Sequence, residues 1–238
     1  MDILYQDEAL LVVNKPAGLS TLPDGYNPSL PHVKSLLEQQ VGRLWIVHRL
    51  DKDTSGVLLL ARSAEAHRAL NTQFEQHQVS KIYHALVTGN PEWQEQTINL
   101  PLRPNGDRSH RTVVDHVAGK PALTQLKVLE RFCHYCLVEA APETGRTHQV
   151  RVHLSSLGLH IVGDKLYADR NRAIPPKMVS QPLHDVGMIK ISTIGMGLHA
   201  RSLEINHPIS RQRLKFEAAY PAWLEDALHL LRTTSQSE

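Results

Sequence analysis

A strongly polar segment, residues 48–56, separates two short apolar stretches of this chain. The segment reads His-Arg-Leu-Asp-Lys-Asp-Thr-Ser-Gly, and the apolar stretches lie at 44–47 and 57–61. Short apolar runs bounded by turn residues are typical of buried strands. The pattern therefore predicts a loop held between two strands, where catalytic and binding residues are often found. A solvated surface turn is the alternative interpretation of these charges.

Periodicity elsewhere predicts a chain rich in both strands and helices. Strands are predicted at 3–5, 9–14, 81–88, 123–131, 135–141 and 198–205. Helices are predicted at 29–41, 64–77, 147–157 and 221–231, the first two capped by Ser29 and Ser63. Strands come in runs rather than in strict alternation with helices, which favours an α+β fold with a largely antiparallel sheet.

No change of composition marks a linker between separate domains. We therefore expect a single domain over residues 1–231, followed by a disordered tail at 232–238. Residues 169–197 are rich in Pro, Gly and Met, and we expect them to be irregular apart from one possible strand near Met188.

The positions of the charged residues are more informative than the net charge, which is only +2 with neutral histidines. Two clusters of basic residues stand out. The first contains Arg103, Arg108, Arg111 and Lys120, and the second contains Arg146, Arg151, Lys165, Arg170 and Arg172. They are either ordinary solvated faces or a basic cleft that binds the phosphates of a nucleic acid.

Several classes of protein are disfavoured by the sequence. No apolar run reaches the roughly 18 residues of a membrane span, and Asp7 and Glu8 interrupt the N-terminus, which disfavours a secretory signal. Cys133 and Cys136 form a lone pair without the second pair of a zinc ribbon, so we expect two reduced thiols in a cytoplasmic protein. No P-loop, dinucleotide fingerprint or set of metal ligands is present, and we expect no cofactor.

The segment 48–56 resembles the signature of the RluA-type RNA pseudouridine synthases, and five further segments resemble other motifs of that family in family order. They are Asn14–Gly18, Lys81–Tyr83 with Gly89, Glu143–His153, Gly163–Tyr167, and Leu198–Ala200 with Asn206–Pro208. The resemblance covers about residues 3–220 and implies the pseudouridine synthase fold, a mixed, mainly antiparallel sheet with a central cleft flanked by helices and loops. Because the first motif begins almost at Met1, we expect the accessory RNA-binding domain of some relatives to be absent.

The activity that the resemblance implies is the isomerisation of uridine to pseudouridine in structured ribosomal or transfer RNA. The base must be detached at N1, turned, and rejoined through C5, a reaction that requires no metal, redox equivalent or group donor. RNA is then the expected partner, with no membrane, and a monomer suits this group.

Three residues would carry the reaction according to the resemblance. Asp51 matches the catalytic carboxylate, which either attacks C1′ or removes a proton from C2′. Arg151 matches the cation that pairs with it, since burial raises the pKa of a carboxylic acid and a fixed guanidinium opposes that rise. Tyr83 matches the aromatic residue that stacks on a uracil swung out of the RNA.

Other residues would bind the RNA. Arg49 matches the arginine that occupies the space left by the extruded base or holds the RNA there. The further substrate-binding residues expected are Val150, Arg146, Arg108 and Arg111; the last two lie where relatives carry an RNA-clamping loop. Lys15, Pro16, Gly18 and Gly56 are expected to shape turns, and His48, His148, His153 and His199 to act as hydrogen-bonding supports.

Two other functions remain open on the residues alone. A protein that binds RNA without catalysis is one, although Asp51, Tyr83 and Arg151 are all present. A metal-dependent hydrolase that uses His48, Asp51 and Asp53 is the other.

Overall fold

The computed structural model describes residues 1–25, 27–167 and 195–234, which form thirteen strands and four helices. The strands are β1 (Asp2–Gln6), β2 (Leu10–Lys15), β3 (Trp45–Ile46), β4 (Ser55–Ala61), β5 (Ser80–Thr88), β6 (Glu95–Asn99), β7 (Leu102–Arg103), β8 (Val113–Val114), β9 (Leu123–Arg131), β10 (Tyr135–Pro142), β11 (His160–Ile161), β12 (Leu198–Asn206) and β13 (Arg213–Glu217). The helices are α1 (Val33–Val41), α2 (Ala64–Glu75), α3 (Gln149–Ser156) and α4 (Ala222–Thr234). The predicted α+β class is confirmed, and the sheet is mixed.

The chain divides into two compact units. Unit 1 consists of Met1–His84, Ala141–Thr144 and Leu198–Pro221, and unit 2 consists of Ala85–Ala140, Gly145–Gly197 and Ala222–Glu238. The single domain expected over residues 1–231 therefore has an internal division that no change of composition revealed.

The sheet of unit 1 explains the uninterrupted apolar run that follows the polar loop. β2 pairs antiparallel with both β1 and β4, and β12 pairs parallel with β4 and antiparallel with β13. Alternate residues of β4 enter two different clusters: Val57 and Leu59 pack with α2, whereas Leu58 and Leu60 pack with α1. A strand covered on both faces must be apolar at every position, which is why this strand does not alternate.

The helices of unit 1 begin at different types of cap. Ser63 caps α2 as predicted, and its hydroxyl accepts the N–H of Ala66. The prediction that Ser29 caps α1 is wrong, because α1 begins at Val33 with His32 as its N-cap. The His32 imidazole accepts the N–H of Ser35, and His32 itself has an extended backbone and forms a parallel bridge with Ser20.

Unit 2 contains a second set of strands and two helices. β6 pairs antiparallel with β9, β10 lies beside β9 in the sheet order, and β11 pairs with the end of β5 at His160 and Thr88. β7 and β8 form a separate two-stranded sheet. Between them, residues 104–112 form the loop that we call the β7–β8 loop.

Two helix ends in unit 2 differ from the prediction. α3 begins at Gln149 rather than 147, because His148 has a left-handed backbone with φ 53°. α4 ends at Thr234 rather than at 231, so residues 232–234 are helical and not part of a disordered tail. Arg232 explains the extra turn, since its guanidinium makes a bidentate ion pair with Glu130 at 2.7 and 2.6 Å.

Some predictions fall outside the described residues, namely the possible strand near Met188, the basic residues Arg170 and Arg172, and the tail from 235 onward. Among the helices that the structure does describe, none combines the length and the apolar character needed to cross a membrane.

Candidate active site

The loop that carries Asp51 is fastened to the loop after β2 by several hydrogen bonds. The Thr21 hydroxyl donates to the carbonyl of Leu50 at 3.0 Å and lies 3.3 Å from the backbone nitrogen of the same residue. The N–H of Gly18 donates to the carbonyl of Lys52 at 2.9 Å, and the N–H of Thr54 closes a turn onto the carbonyl of Asp51. Residues on both sides of Asp51 are thus fixed, while its own side chain is only half-buried.

Lys15 lies beneath this loop as a completely buried cation. Its ammonium donates to the carbonyls of Pro16 at 2.9 Å, Leu19 at 2.8 Å and Lys52 at 3.0 Å. Burial lowers the pKa of Lys15 to about 8, and the negative charges of Asp53 and Asp51 oppose that effect. The expectation that Lys15 shapes the turn is confirmed, and the structure adds that it brings a fixed ammonium close to both carboxylates.

The other end of the loop enters β4 against β12. Gly56 has φ 111° and pairs with Ala200, and a β-carbon at Gly56 would lie 2.2 Å from the carbonyl oxygen of Ala200. The neighbouring Ser55 hydroxyl lies 2.9 Å from Nδ1 of His199, whose Nε2 lies 3.2 Å from the carbonyl oxygen of Ala218. A carbonyl only accepts, so Nε2 bears the proton and the hydroxyl of Ser55 donates to Nδ1. The positive φ of Gly56 and the close approach of the Ala200 backbone together require glycine at position 56.

Tyr83 on β5 belongs to the same unit as Asp51. It is partly buried against the cluster that includes Leu50 and Ala200. Burial raises the pKa of Tyr83, and the negative charge of Asp51 raises it further. The phenol therefore stays protonated at neutral pH and lies within electrostatic range of the carboxylate. The expected role of Tyr83 in the reaction stays a prediction.

The start of the polar loop carries His48 and Arg49. Nε2 of His48 accepts the N–H of Leu59 at 3.0 Å, and the ring stacks on Phe74 at 5.0 Å. Burial, with a smaller effect from the charge of Lys81, lowers the pKa of His48 to about 3. His48 is thus a neutral support, as predicted, while the side chain of Arg49 is exposed.

Arg151 lies in unit 2, on the first turn of α3, and is held by Asp164. Nε and Nη2 of the guanidinium each donate to one carboxylate oxygen of Asp164 at 2.8 Å. Both side chains are almost fully buried, at 9% and 1% exposure. Burial alone would raise the pKa of Asp164, but the hydrogen bonds and charge of Arg151, with the N–H groups of Leu166 and Tyr167, lower it. Arg151 also lies over the ring of Tyr167, 5.0 Å from its centre.

Asp164 is a site residue that sequence reasoning missed. It stands in the Gly163–Tyr167 segment that resembles a family motif, but nothing in that segment indicates which cation it meets. Its contact with Arg151 depends on how the chain returns to α3, which is a tertiary property. The predicted ion pair between Asp51 and Arg151 joins residues of different units and stays a prediction.

The predicted RNA-binding residues of unit 2 differ in their surroundings. Val150 is buried, at 5% exposure, and Nε of Arg146 donates to the carbonyl of Pro121 at 3.0 Å. Arg108 is exposed in the β7–β8 loop. Arg111, at the end of that loop, makes an ion pair with Asp107 at 2.6 Å. Arg108 is therefore oriented towards solvent, whereas Arg111 helps to fold its own loop.

The histidines predicted as supports do form hydrogen bonds. His148 lies 2.9 Å from the hydroxyl of Tyr167, and His153 lies between the hydroxyl of Thr124 and the carbonyl of Leu100. Within the part of the chain that the structure describes, no group of three or more His, Cys, Asp or Glu side chains is placed to hold a metal ion. Cys133 and Cys136 are both free thiols, as expected.

Comparisons with known proteins identify a family and several relatives that this chain resembles. Residues 9–156 match the family described as RNA pseudouridylate synthase. The chain is 42% identical to ribosomal large subunit pseudouridine synthase D of Pseudomonas aeruginosa, over 99% of this chain and 72% of that protein. It is 36% identical to ribosomal large subunit pseudouridine synthase C of Vibrio cholerae, over 97% of this chain and 69% of that protein.

Among solved structures, the human RNA pseudouridylate synthase domain containing 4 superposes with a TM-score of 0.78. That chain is 31% identical, and the match covers 97% of this chain and 92% of the human one.

Proposed function

Because this chain belongs to the RluA family of RNA pseudouridylate synthases, and is therefore an RNA-modifying isomerase, we propose that it converts specific uridines of large-subunit ribosomal RNA to pseudouridine with Asp51 as the catalytic carboxylate. The observation that carries the proposal is the Asp51 loop, which Thr21, Gly18 and Lys15 fasten on both sides of a half-buried carboxylate. A loop fixed in this way holds its side chain in a defined position, as catalysis requires.

The proposed reaction needs a carboxylate at the ribose of the target uridine. Asp51 either forms a bond to C1′ as the C1′–N1 bond breaks, or removes a proton from C2′ so that a glycal forms. In the first route C5 of the base then bonds to C1′ as the bond between C1′ and the Asp51 carboxylate breaks. In the second route the C1′–N1 bond breaks as the glycal forms, and C5 then bonds to C1′ as the proton returns to C2′. In both routes the hydrogen of C5 is lost to solvent. Base flipping is part of the proposal, because the ribose and base edges of a stacked uridine are not accessible to a side chain.

The surroundings of Tyr83 support a stacking role for its ring in this reaction. Its phenol is protonated at neutral pH because burial and the charge of Asp51 both raise its pKa. A neutral aromatic ring beside the carboxylate can stack on the extruded uracil, and its hydroxyl can donate a hydrogen bond to a base oxygen.

Arg151 is proposed to pair with Asp51 in the catalytic state. Its guanidinium already directs Nε and Nη2 to Asp164, which orients the planar group. Asp164 neutralises part of the charge of Arg151. The ammonium of Lys15, which is buried without a carboxylate in its hydrogen-bonding set, adds positive charge near Asp51.

RNA binding is proposed for arginines of both units. Arg49 lies two residues before Asp51, and Arg108 projects from the β7–β8 loop. Arg146 and Arg111 are tied to backbone carbonyls of their own unit, so they would present the RNA with a fixed cationic surface. Val150 is buried next to Arg151 in the chain, and it would pack against the bound nucleotide rather than contact phosphate.

The ribosomal substrate is proposed from the names of the relatives from Pseudomonas aeruginosa and Vibrio cholerae. Such a substrate would place the enzyme in the cytoplasm, and a monomer is sufficient because the proposed residues all come from one chain. Transfer RNA is the alternative, and pseudouridine mapping of ribosomal and transfer RNA from a deletion strain distinguishes the two.

The catalytic assignment is tested with Asp51→Asn. Release of tritium from RNA that contains C5-labelled uridine should fall to background, while RNA affinity stays within about threefold because the two side chains have the same shape. Asp53→Asn is the matched control, since this carboxylate is exposed in the same loop and should keep wild-type turnover. Wild-type turnover by Asp51→Asn would overturn the assignment. Turnover that a chelator abolishes would instead indicate a metal-dependent reaction.

A further inference from the structure

The hydroxyl of Tyr167 connects two segments of unit 2 that are far apart in sequence. It accepts the backbone N–H of Thr112 at 3.0 Å, in a buried hydrogen bond. It also lies 2.9 Å from Nδ1 of His148, the residue that precedes α3. One phenolic oxygen thus contacts both the end of the β7–β8 loop and the start of the helix that carries Arg151.

The β7–β8 loop is attached to Tyr167 at its C-terminal end. Nη1 of Arg111 donates to the carbonyl of Leu166 at 3.3 Å, next to the bond from Thr112 to Tyr167. The same arginine is fixed within the loop, because its Nε donates to Asp107 and its carbonyl accepts the N–H of Gly106. A displacement of this loop must therefore act on residues 166 and 167.

The start of α3 is attached to the same residue. His148 is held in a left-handed conformation with φ 53°, which is unfavourable for a residue other than glycine and needs support from its surroundings. The Tyr167 ring packs edge-on against His148 and lies beneath the guanidinium of Arg151. Asp164, three residues earlier, makes the bidentate ion pair with Arg151 and accepts the N–H of Tyr167.

We propose that Tyr167 is a positioning residue, whose hydroxyl couples RNA held by the β7–β8 loop to the orientation of Arg151. The inference rests on the proposed function, because it takes Arg108 of this loop as an RNA contact. The ring itself packs with Leu102, Ala122 and Val152 and is only 9% exposed, so it is held in one place. RNA that moves the loop would thereby set the helix end, and Arg151 would be in position only when the RNA is held correctly.

Tyr167→Phe tests the coupling, because it keeps the ring over which Arg151 lies and removes only the hydroxyl. Tyr135→Phe is the matched control: Tyr135 is half-buried on β10, and its hydroxyl has no hydrogen-bond partner within residues 1–25, 27–167 and 195–234. Tyr167→Phe should lower kcat by about tenfold or more, since small misplacements in an active site have effects of this size. Tyr135→Phe should leave kcat unchanged.

A double-mutant cycle separates coupling from a general loss of structure. Arg108→Ala should lower kcat/KM about tenfold in the wild-type background but less than about twofold when Tyr167→Phe is already present. Arg108 and Tyr167 belong to different segments, so non-additivity between them reports transmission through the loop. Additive effects of the two substitutions would overturn the proposal.

Amide hydrogen exchange provides a readout that does not depend on turnover. Tyr167→Phe should raise exchange at Thr112 and also over residues 149–152, whereas Tyr135→Phe should change neither. A rise at Thr112 alone would overturn the coupling. If the proposed function itself is wrong, the wild-type protein will release no tritium from labelled RNA, which distinguishes that outcome from a failure of the coupling.

Discussion

Asp164 illustrates how one buried carboxylate can define the position of a guanidinium, here that of Arg151. A guanidinium on an exposed helix face samples many orientations, but here two hydrogen bonds of 2.8 Å fix its plane. Asp164 also accepts the N–H groups of Leu166 and Tyr167, so the turn that follows β11 is folded around the same side chain. The orientation of Arg151 and the fold of this turn therefore depend on the same residue.

We expect Asp164→Asn to lower the free energy of unfolding by about 3–5 kcal/mol, because it leaves a buried guanidinium beside a neutral amide. Turnover should fall more than RNA affinity, since the side chain orients Arg151 without facing solvent. Urea denaturation and single-turnover kinetics measure the two effects. Glu95→Gln is the control, because its ion pair with Lys127 is 3.5 Å long and exposed, and such pairs contribute little. Wild-type stability and turnover in Asp164→Asn would contradict this role.

For single residues, the sequence predicted a role correctly where that role depends on neighbours in the chain. Gly56 and Lys15 were expected to shape turns, and the structure shows the positive φ of one and the three carbonyls bound by the other. Asp164 was not identified, because its partner lies 13 residues away on another element. No local pattern specifies such a pairing.

At the scale of elements, the junction of β4 with β12 fixes the point at which the Asp51 loop enters the sheet. The two strands are parallel, and Gly56 faces Ala200 with no room for a side chain. Ser55 and His199 add a buried hydrogen bond beside this contact. The loop therefore enters the sheet at a point determined by β12, which is more than 130 residues later in the chain.

Gly56→Ala should be among the most destabilising single substitutions in unit 1. Its φ of 111° and the 2.2 Å approach to the Ala200 carbonyl oxygen should together lower the free energy of unfolding by more than about 3 kcal/mol. Gly18→Ala is the comparison, because Gly18 also has a positive φ but no atom within 4 Å of an added β-carbon, so about 1–2 kcal/mol is expected. Equal losses from the two substitutions, measured by urea denaturation, would show that close packing at Gly56 is unimportant.

The elements themselves were largely predictable, and their ends were not. Periodicity located β9, β10, β12 and α2 to within a few residues, because buried faces impose a repeat on the sequence. The start of α1 was misplaced because its N-cap is a histidine, His32, which a bridge to Ser20 holds in an extended conformation. The end of α4 was misplaced because the ion pair of Arg232 with Glu130 is a long-range contact.

At the scale of the whole molecule, buried neutral histidines should make stability sensitive to acid. Burial lowers the pKa of His48 to about 3 and, with a smaller effect of nearby cations, the pKa values of His84 and His199 to about 4. Below the unfolded value of 6.5 the unfolded chain binds protons that the folded chain does not. Stability is therefore present above pH 6.5 and is lost as the pH falls towards 4.

His48→Gln tests this dependence, because glutamine can still accept a hydrogen bond but does not titrate. The slope of the unfolding free energy between pH 6.5 and 4 should decrease by about 1.4 kcal/mol per pH unit. An unchanged slope in His48→Gln, measured by urea denaturation across this pH range, would show that His48 is not neutral in the folded protein.

The sequence by itself determined the α+β class, the family and the loop that presents Asp51, because these depend on residue types, periodicity and the order of local motifs. The tertiary structure decided which groups surround those residues: the ammonium of Lys15 under the loop, the backbone of Ala200 against Gly56, and the carboxylate of Asp164 on Arg151. The physical reason is that hydrogen bonds and ion pairs act over a few ångströms in space. Local propensity acts along the chain, and only the folded path brings these distant partners into contact.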